Sequence, residues 1–378
     1  MSLRPLIESR RVILCVGCGG VGKTTTAAAI GLAAAAAGKR ALCLTIDPAR
    51  RLAESLGLAE MKTEAQTIDP ARLAAAGVPV KGSLTVMMLD TKSTFDELVA
   101  KYASSPAARD RILQNRLYRH VSTSLAGTQE YMAMEKLYAL KGDARWDLIV
   151  VDTPPTANAL DFLDAPERMI DALDSAVLRW LAGAFQSSGK LSFRILAKGA
   201  SAALRGMAKL TGQGFLEALA EFVVLINEMF GGFRARASEV ENALRGSEVA
   251  YVLVTSPDPM SIREIVYFAD RLREQRMPRD AVVVNRLRPE RHGHPAPADV
   301  ERELARNGVP VGADVAARVI RAFEDEGRLG DMDRRHLAAL AVLDEGGKGP
   351  LRVEVPAFAG DVHDVPGLAR VAAILASD

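Results

Sequence analysis

The chain has 378 residues with 48 Lys and Arg against 47 Asp and Glu, a formal net charge of +1. The length suits one large α/β domain or two modest ones, and the charge balance argues against nucleic acid as a main partner. Apolar residues make up 49% and aromatic ones only 5%, so the core must come from Ala, Val, Leu and Ile.

No segment reaches the ~18 uninterrupted strongly apolar residues of a membrane span, and no amino-terminal leader is visible. A cytoplasmic protein without an integral membrane segment is expected. The apolar run Val12–Val16 predicts the first strand. It leads into Gly17-Cys18-Gly19-Gly20-Val21-Gly22-Lys23-Thr24 and then an alanine-rich helical stretch, Thr25 to Ala37. Strand, glycine-rich loop and helix follow in the order that cradles the phosphates of a nucleoside triphosphate. The backbone of Gly19, Gly20, Val21, Gly22 and Thr25 is assigned to the nucleotide. Lys23 is assigned to the charge on the β- and γ-phosphates, and the Thr24 hydroxyl to Mg²⁺. Cys15 and Cys18 have C-x-x-C spacing, but a zinc or redox pair there would compete with nucleotide. The odd count of three cysteines also argues against a disulfide framework.

Further strands are predicted at Ala41–Ile46, Leu84–Leu89, Leu148–Val151, Val249–Thr255, Ala281–Val284 and Leu351–Val355. Most are short, β-branched and fully apolar, the pattern of a parallel sheet covered on both faces. Asp47-Pro48 follows the first of these, Ala41–Ile46, the second strand of the chain. Alone the pair reads as a helix-capping turn, but at that strand end Asp47 is a candidate to orient water against a γ-phosphate. Asp152 closes the run from Asp147 and is a candidate Mg²⁺ ligand, and Thr153 to Thr156 would form a stiff loop that senses the γ-phosphate. Residues 92–142 and 164–245 break the alternation with helical periodicity. They predict a helical subdomain on a nucleotide-binding core made of residues 1–91, 143–163 and 246–378, all one phosphate-loop domain spanning 1–378. Within the second segment Lys190, Arg194, Lys198, Arg205 and Lys209 mark either a solvated basic face or a surface for an acidic partner or headgroup layer. Phe215 to Phe233 reads as core packing or as an apolar groove for a client helix. His292 and His294 read as a solvated loop.

The loop form GxGGVGKT resembles the deviant phosphate loop of ATPases that sort septum sites, plasmids, arsenite and tail-anchored proteins. In those, a lysine that reaches across a dimer stands where this chain has Cys18. The wider sequence is similar to the family of the arsenical-pump ATPase and the ATPase for guided entry of tail-anchored membrane proteins. The likeness runs through Thr45 and Asp47-Pro48-Ala49, with Ile46 between and Arg50 in place of His. It continues through Asp152-Thr153-Pro154-Pro155-Thr156, Thr255 to Ser261, Ala281 to Leu287, and Val355-Pro356-Ala357-Phe358 onward. The resemblance implies an α/β phosphate-loop fold with a mostly parallel sheet, helices on both faces and a helical subdomain. It implies ATP with Mg²⁺ and hydrolysis served by Asp47 and Lys23. Asn285 would read the adenine edge, Pro356 and Phe358 would flank the base, and Asp258 would contact nucleotide or partner. A dimer that switches with nucleotide is also implied, with a hydrophobic protein client on the helical subdomain. With Cys18, the expectation becomes a heterodimer with a lysine-bearing paralogue or a slowly hydrolysing homodimer. A weakly hydrolysing scaffold or partner subunit is the competing expectation. Arsenite transport is not expected, because no cysteine follows Cys43.

Overall fold

The computed structural model describes residues 1–46, 51–58, 60–115, 128–154, 235–310, 313–344 and 349–377, with residues 118–119, 122, 164–165, 168 and 171. Strand-forming runs become one eight-stranded sheet: β1 Val12–Gly17, β2 Arg40–Thr45, β3 Gln66–Thr67, β4 Ser83–Met88, β5 Leu148–Asp152, β6 Val249–Thr255, β7 Ala281–Leu287 and β8 Leu351–Pro356. Their spatial order is β3-β4-β2-β5-β1-β6-β7-β8. Every pairing is parallel except β3 with β4, so the expected mostly parallel α/β architecture is the one observed. The two-residue edge strand β3 had no sequence signal, being too short to show any alternation. Four predicted strands run further at their carboxyl ends than expected, β1 by Gly17 and β8 by Pro356 among them. β5 includes Asp152, and β7 continues to Leu287 through a register shift against β8 between Val284 and Leu287.

β1, β5 and β6 are buried along their whole length, which is why their sequences show no polar alternation. Ile13 and Cys15 point into the cluster beneath the helix Lys23–Ala36. Helix Pro259–Glu274 packs on β1 and β6 and buries Ile262, Ile265, Phe268 and Leu272. The phosphate-loop helix has no solvent stripe: it lies between the sheet and the helix Val365–Ala376, and eleven of its 14 residues are buried. Its alanines let that last helix approach closely, at little cost in side-chain entropy.

The chain divides into two compact units. One comprises Met1–Met88, Arg145–Ala157 and Ser247–Asp378 and holds the sheet; the other comprises Leu89–Ala144 and Asn158–Gly246. Among its described residues the second unit is helical: Thr91–Tyr102, Pro106–Gln114, Thr128–Lys141 and a helix over residues 235–244. Asp90 and Ser105 cap the first two, each accepting a hydrogen bond from a first-turn N–H. Glu135, 2% exposed, pairs with Arg236 at 3.0 Å and accepts from the Tyr131 hydroxyl at 3.0 Å, and the Arg236 guanidinium stacks 3.8 Å above the Tyr138 ring. The basic side chains expected over 190–210 and the apolar stretch 215–233 lie outside the described residues. No described helix is long and apolar enough to cross a membrane.

Candidate functional site

Parallel strands with helical crossovers leave their carboxyl ends open, and β1 delivers the glycine-rich loop there. At Gly17 the backbone passes so close to β6 that a Cβ would stand 2.1 Å from the Val254 carbonyl oxygen. Gly22, with φ of 96°, is the N-cap of the following helix, and a Cβ on it would stand 2.2 Å from Nδ2 of Asn285. Only glycine accepts both that dihedral and that approach. No side chain caps this helix, so its first-turn N–H groups have an anion as their natural partner. Lys23 is 7% exposed, and its Nζ donates to the Cys18 carbonyl at 2.7 Å.

A cavity of about 680 Å³ opens beside this loop. That volume lies in the range of small-molecule sites, and the lining joins segments far apart in sequence. Gly19, Gly20, Gly22, Lys23, Thr24 and Thr25 line it together with Thr153, Asn285, Pro356 and Phe358. Asn285 donates from Nδ2 to the Val21 carbonyl at 2.8 Å, which fastens β7 to the loop. Val21 itself is buried and contributes to that tie rather than to the lining. Arg370 stacks 4.3 Å above the Phe358 ring, fixing one wall.

Asp152 sits at the end of β5, in register with Cys15 of β1 and Thr45 of β2, and is 2% exposed. Oγ1 of Thr45 donates to its Oδ2 at 3.3 Å, and the next residue, Thr153, donates from Oγ1 to the Cys15 carbonyl at 2.8 Å. A threonine hydroxyl and a buried carboxylate are hard oxygen donors. They suit Mg²⁺, which takes few protein ligands and fills its shell with phosphate and water. No cluster of three His, Cys, Asp or Glu able to hold a metal occurs among the described residues.

Other expected site residues fall elsewhere. Asp258 is the N-cap of helix Pro259–Glu274, accepting from the N–H groups of Met260 and Ser261 at 2.9 and 3.1 Å, and does not line the cavity. Asp47 and residues 155–160, which continue the segment begun by Asp152, lie outside the described residues. Glu54, Ser55 and Arg288 line the cavity with no motif to announce them, and Arg286, Asp361 and His363 line it from within the family-like segments without having been assigned a role. Cys15 and Cys43 belong to the apolar cluster; burial pushes the Cys15 thiol well up and that of Cys43 to about 12, with the Asp152 charge adding to both. Cys18 is 6% exposed, and its Sγ lies 3.6 Å from the Ser261 carbonyl of its own chain. All three cysteines are free thiols.

The family pattern described as anion-transporting ATPase matches residues 10–303. The ATPase get3 of Aspergillus terreus is 27% identical over 293 residues, 76% of each chain. The ATPase GET3 of Podospora anserina is 24% identical over 289 residues, again 76% of each. Protein Rv2184c of Mycobacterium tuberculosis is 33% identical over 161 residues, which are 41% of this chain and 37% of that protein's length.

Proposed function

The chain belongs to the anion-transporting ATPase family, and from that membership we propose that it binds ATP with Mg²⁺ in the cavity beside the glycine-rich loop, hydrolyses it, and uses the nucleotide state to control a protein client. The observation that supports this reading is the meeting of three distant segments, Gly19–Thr25, Asn285 and Pro356 with Phe358, around one cavity of nucleotide size. The loop N–H groups take the phosphate oxygens. The Lys23 ammonium exchanges the Cys18 carbonyl for the β- and γ-phosphates. Asn285, with its amide nitrogen committed to Val21, keeps its oxygen as an acceptor for the exocyclic amine of adenine, between Pro356 and Phe358.

Thr24 and Asp152 would hold Mg²⁺, which supplies neutralisation of charge on the transferring phosphoryl group. Asp47 orients the attacking water. Since phosphoryl transfer asks chiefly for positioning and charge stabilisation, one such carboxylate suffices. Thr153 begins the loop that senses the γ-phosphate, and the chain passes from the sheet unit into the helical unit a few residues on, between residues 157 and 158. Loss of the γ-phosphate is thereby conveyed to the helices that carry a hydrophobic client, in the manner of targeting a tail-anchored protein. The working form is a cytoplasmic homodimer, or a heterodimer with a lysine-bearing paralogue.

A second reading, a nucleotide-bound scaffold or partner subunit with little turnover, is favoured by the neutral, inward-facing Cys18. Steady-state hydrolysis and mass with and without MgATP separate the two. The enzyme reading expects turnover reduced at least about 100-fold by Asp47→Asn and a mass that doubles with MgATP. Tight ATP binding with negligible turnover overturns it in favour of the scaffold.

A further inference from the structure

Among the described residues, three Lys or Arg side chains line the cavity: Lys23, Arg286 and Arg288. Lys23 belongs to the glycine-rich loop. Arg288 is neutralised by Asp333, which is 3% exposed, through contacts at 2.9 and 3.2 Å. Arg286 is held differently: its Nη1 donates to the Gly20 carbonyl at 3.2 Å, and it pairs with no carboxylate among the described residues. The remaining N–H groups of its guanidinium form a rigid fork that matches phosphate oxygens.

The backbone beneath it is strained. Arg286 has φ of 61°, in the left-handed region that side-chain-bearing residues avoid, at the register shift of β7 against β8. The shift turns two consecutive residues onto two consecutive loop carbonyls, Asn285 to Val21 and Arg286 to Gly20. Strain of this kind persists where the surrounding structure enforces it, commonly at ligand sites. Meanwhile the second position of the loop is Cys18, neutral and turned towards Ser261. The loop therefore brings one cation, Lys23, to a ligand that carries several negative charges.

We propose that Arg286 is a second cationic contact to the polyphosphate, supplied by this chain to its own nucleotide in place of the charge missing at Cys18. This rests on the ATP reading above. In this structure the guanidinium rests on the Gly20 carbonyl. It transfers to a phosphate oxygen when the anion enters.

The test is equilibrium binding of a non-hydrolysable ATP analogue with Mg²⁺, and of adenosine by competition, to the protein and to Arg286→Asn and Arg286→Lys. Asparagine tolerates the left-handed backbone, so the first variant removes charge without adding strain. It should bind the analogue about ten- to hundredfold more weakly, the worth of one charge-assisted contact. Its adenosine affinity and its thermal midpoint without nucleotide should stay close to those of the parent, and Arg286→Lys should recover most of the loss. Unchanged analogue affinity in Arg286→Asn overturns the proposal, as does an equal loss for adenosine and analogue, which would make Arg286 a structural tie. An unsubstituted protein that binds the analogue no more tightly than adenosine would instead remove the ATP reading itself.

Discussion

The lock between the glycine-rich loop and β7 can be broken from either side, and the two breaks should not add. A Cβ on Gly22 meets Asn285 Nδ2 at 2.2 Å, so Gly22→Ala must displace that amide and lose its 2.8 Å bond to the Val21 carbonyl. The backbone at φ 96° adds about 1–2 kcal/mol for an L side chain. The lost bond, with a buried carbonyl left unsatisfied, adds about 1–2 kcal/mol more. Asn285→Ala alone loses the bond without the backbone cost, about 1–2 kcal/mol. In the double variant the bond is lost once, so its cost should fall short of the sum by about 1–2 kcal/mol. Urea unfolding of the nucleotide-free protein measures this in a Trp180→Phe background, which leaves buried Trp146, beside β5, as the only tryptophan reporter. Strict additivity within about 0.5 kcal/mol would refute the contact between loop and strand.

Two further outcomes are expected. Glu135→Ala leaves Arg236, 12% exposed at its side chain, without its buried carboxylate, and should destabilise the helical unit by about 3 kcal/mol; limited proteolysis against urea reads this as earlier cleavage of that unit. Cys15 and Cys43 should resist iodoacetamide at pH 8 in the folded protein and react only on unfolding, as followed by intact mass. With the Cys43 thiol near 12, only about one molecule in 10,000 is thiolate at that pH, and it is buried besides.

Much of the nucleotide end of this protein is legible in one dimension. β1, β5 and β6 are short apolar runs because both faces of each are covered, and the order of strand, loop and helix is written in consecutive residues from Val12 onward. Asp152 follows from its place at the end of such a run. Local chemistry becomes ambiguous where one residue type serves two purposes. An aspartate before proline suits a ligand or a helix cap, and Asp258 serves as the cap, with two N–H groups satisfied.

What local pattern could not supply is which distant surfaces meet. The spatial order of the strands, the closure of Asn285 on Val21 across 264 positions and the pairing of Glu135 with Arg236 across 101 follow from packing, not from periodicity. Arg286 is the clearest instance. Its sequence neighbours read as the end of a strand, whereas in the fold it sits at a register shift against β8 and its side chain reaches the loop carbonyl of Gly20. Periods of 2 and 3.6 residues fix which face of an element is buried. Which partner buries it is decided by the whole molecule, because the free energy of burial is gained only when both surfaces leave water together.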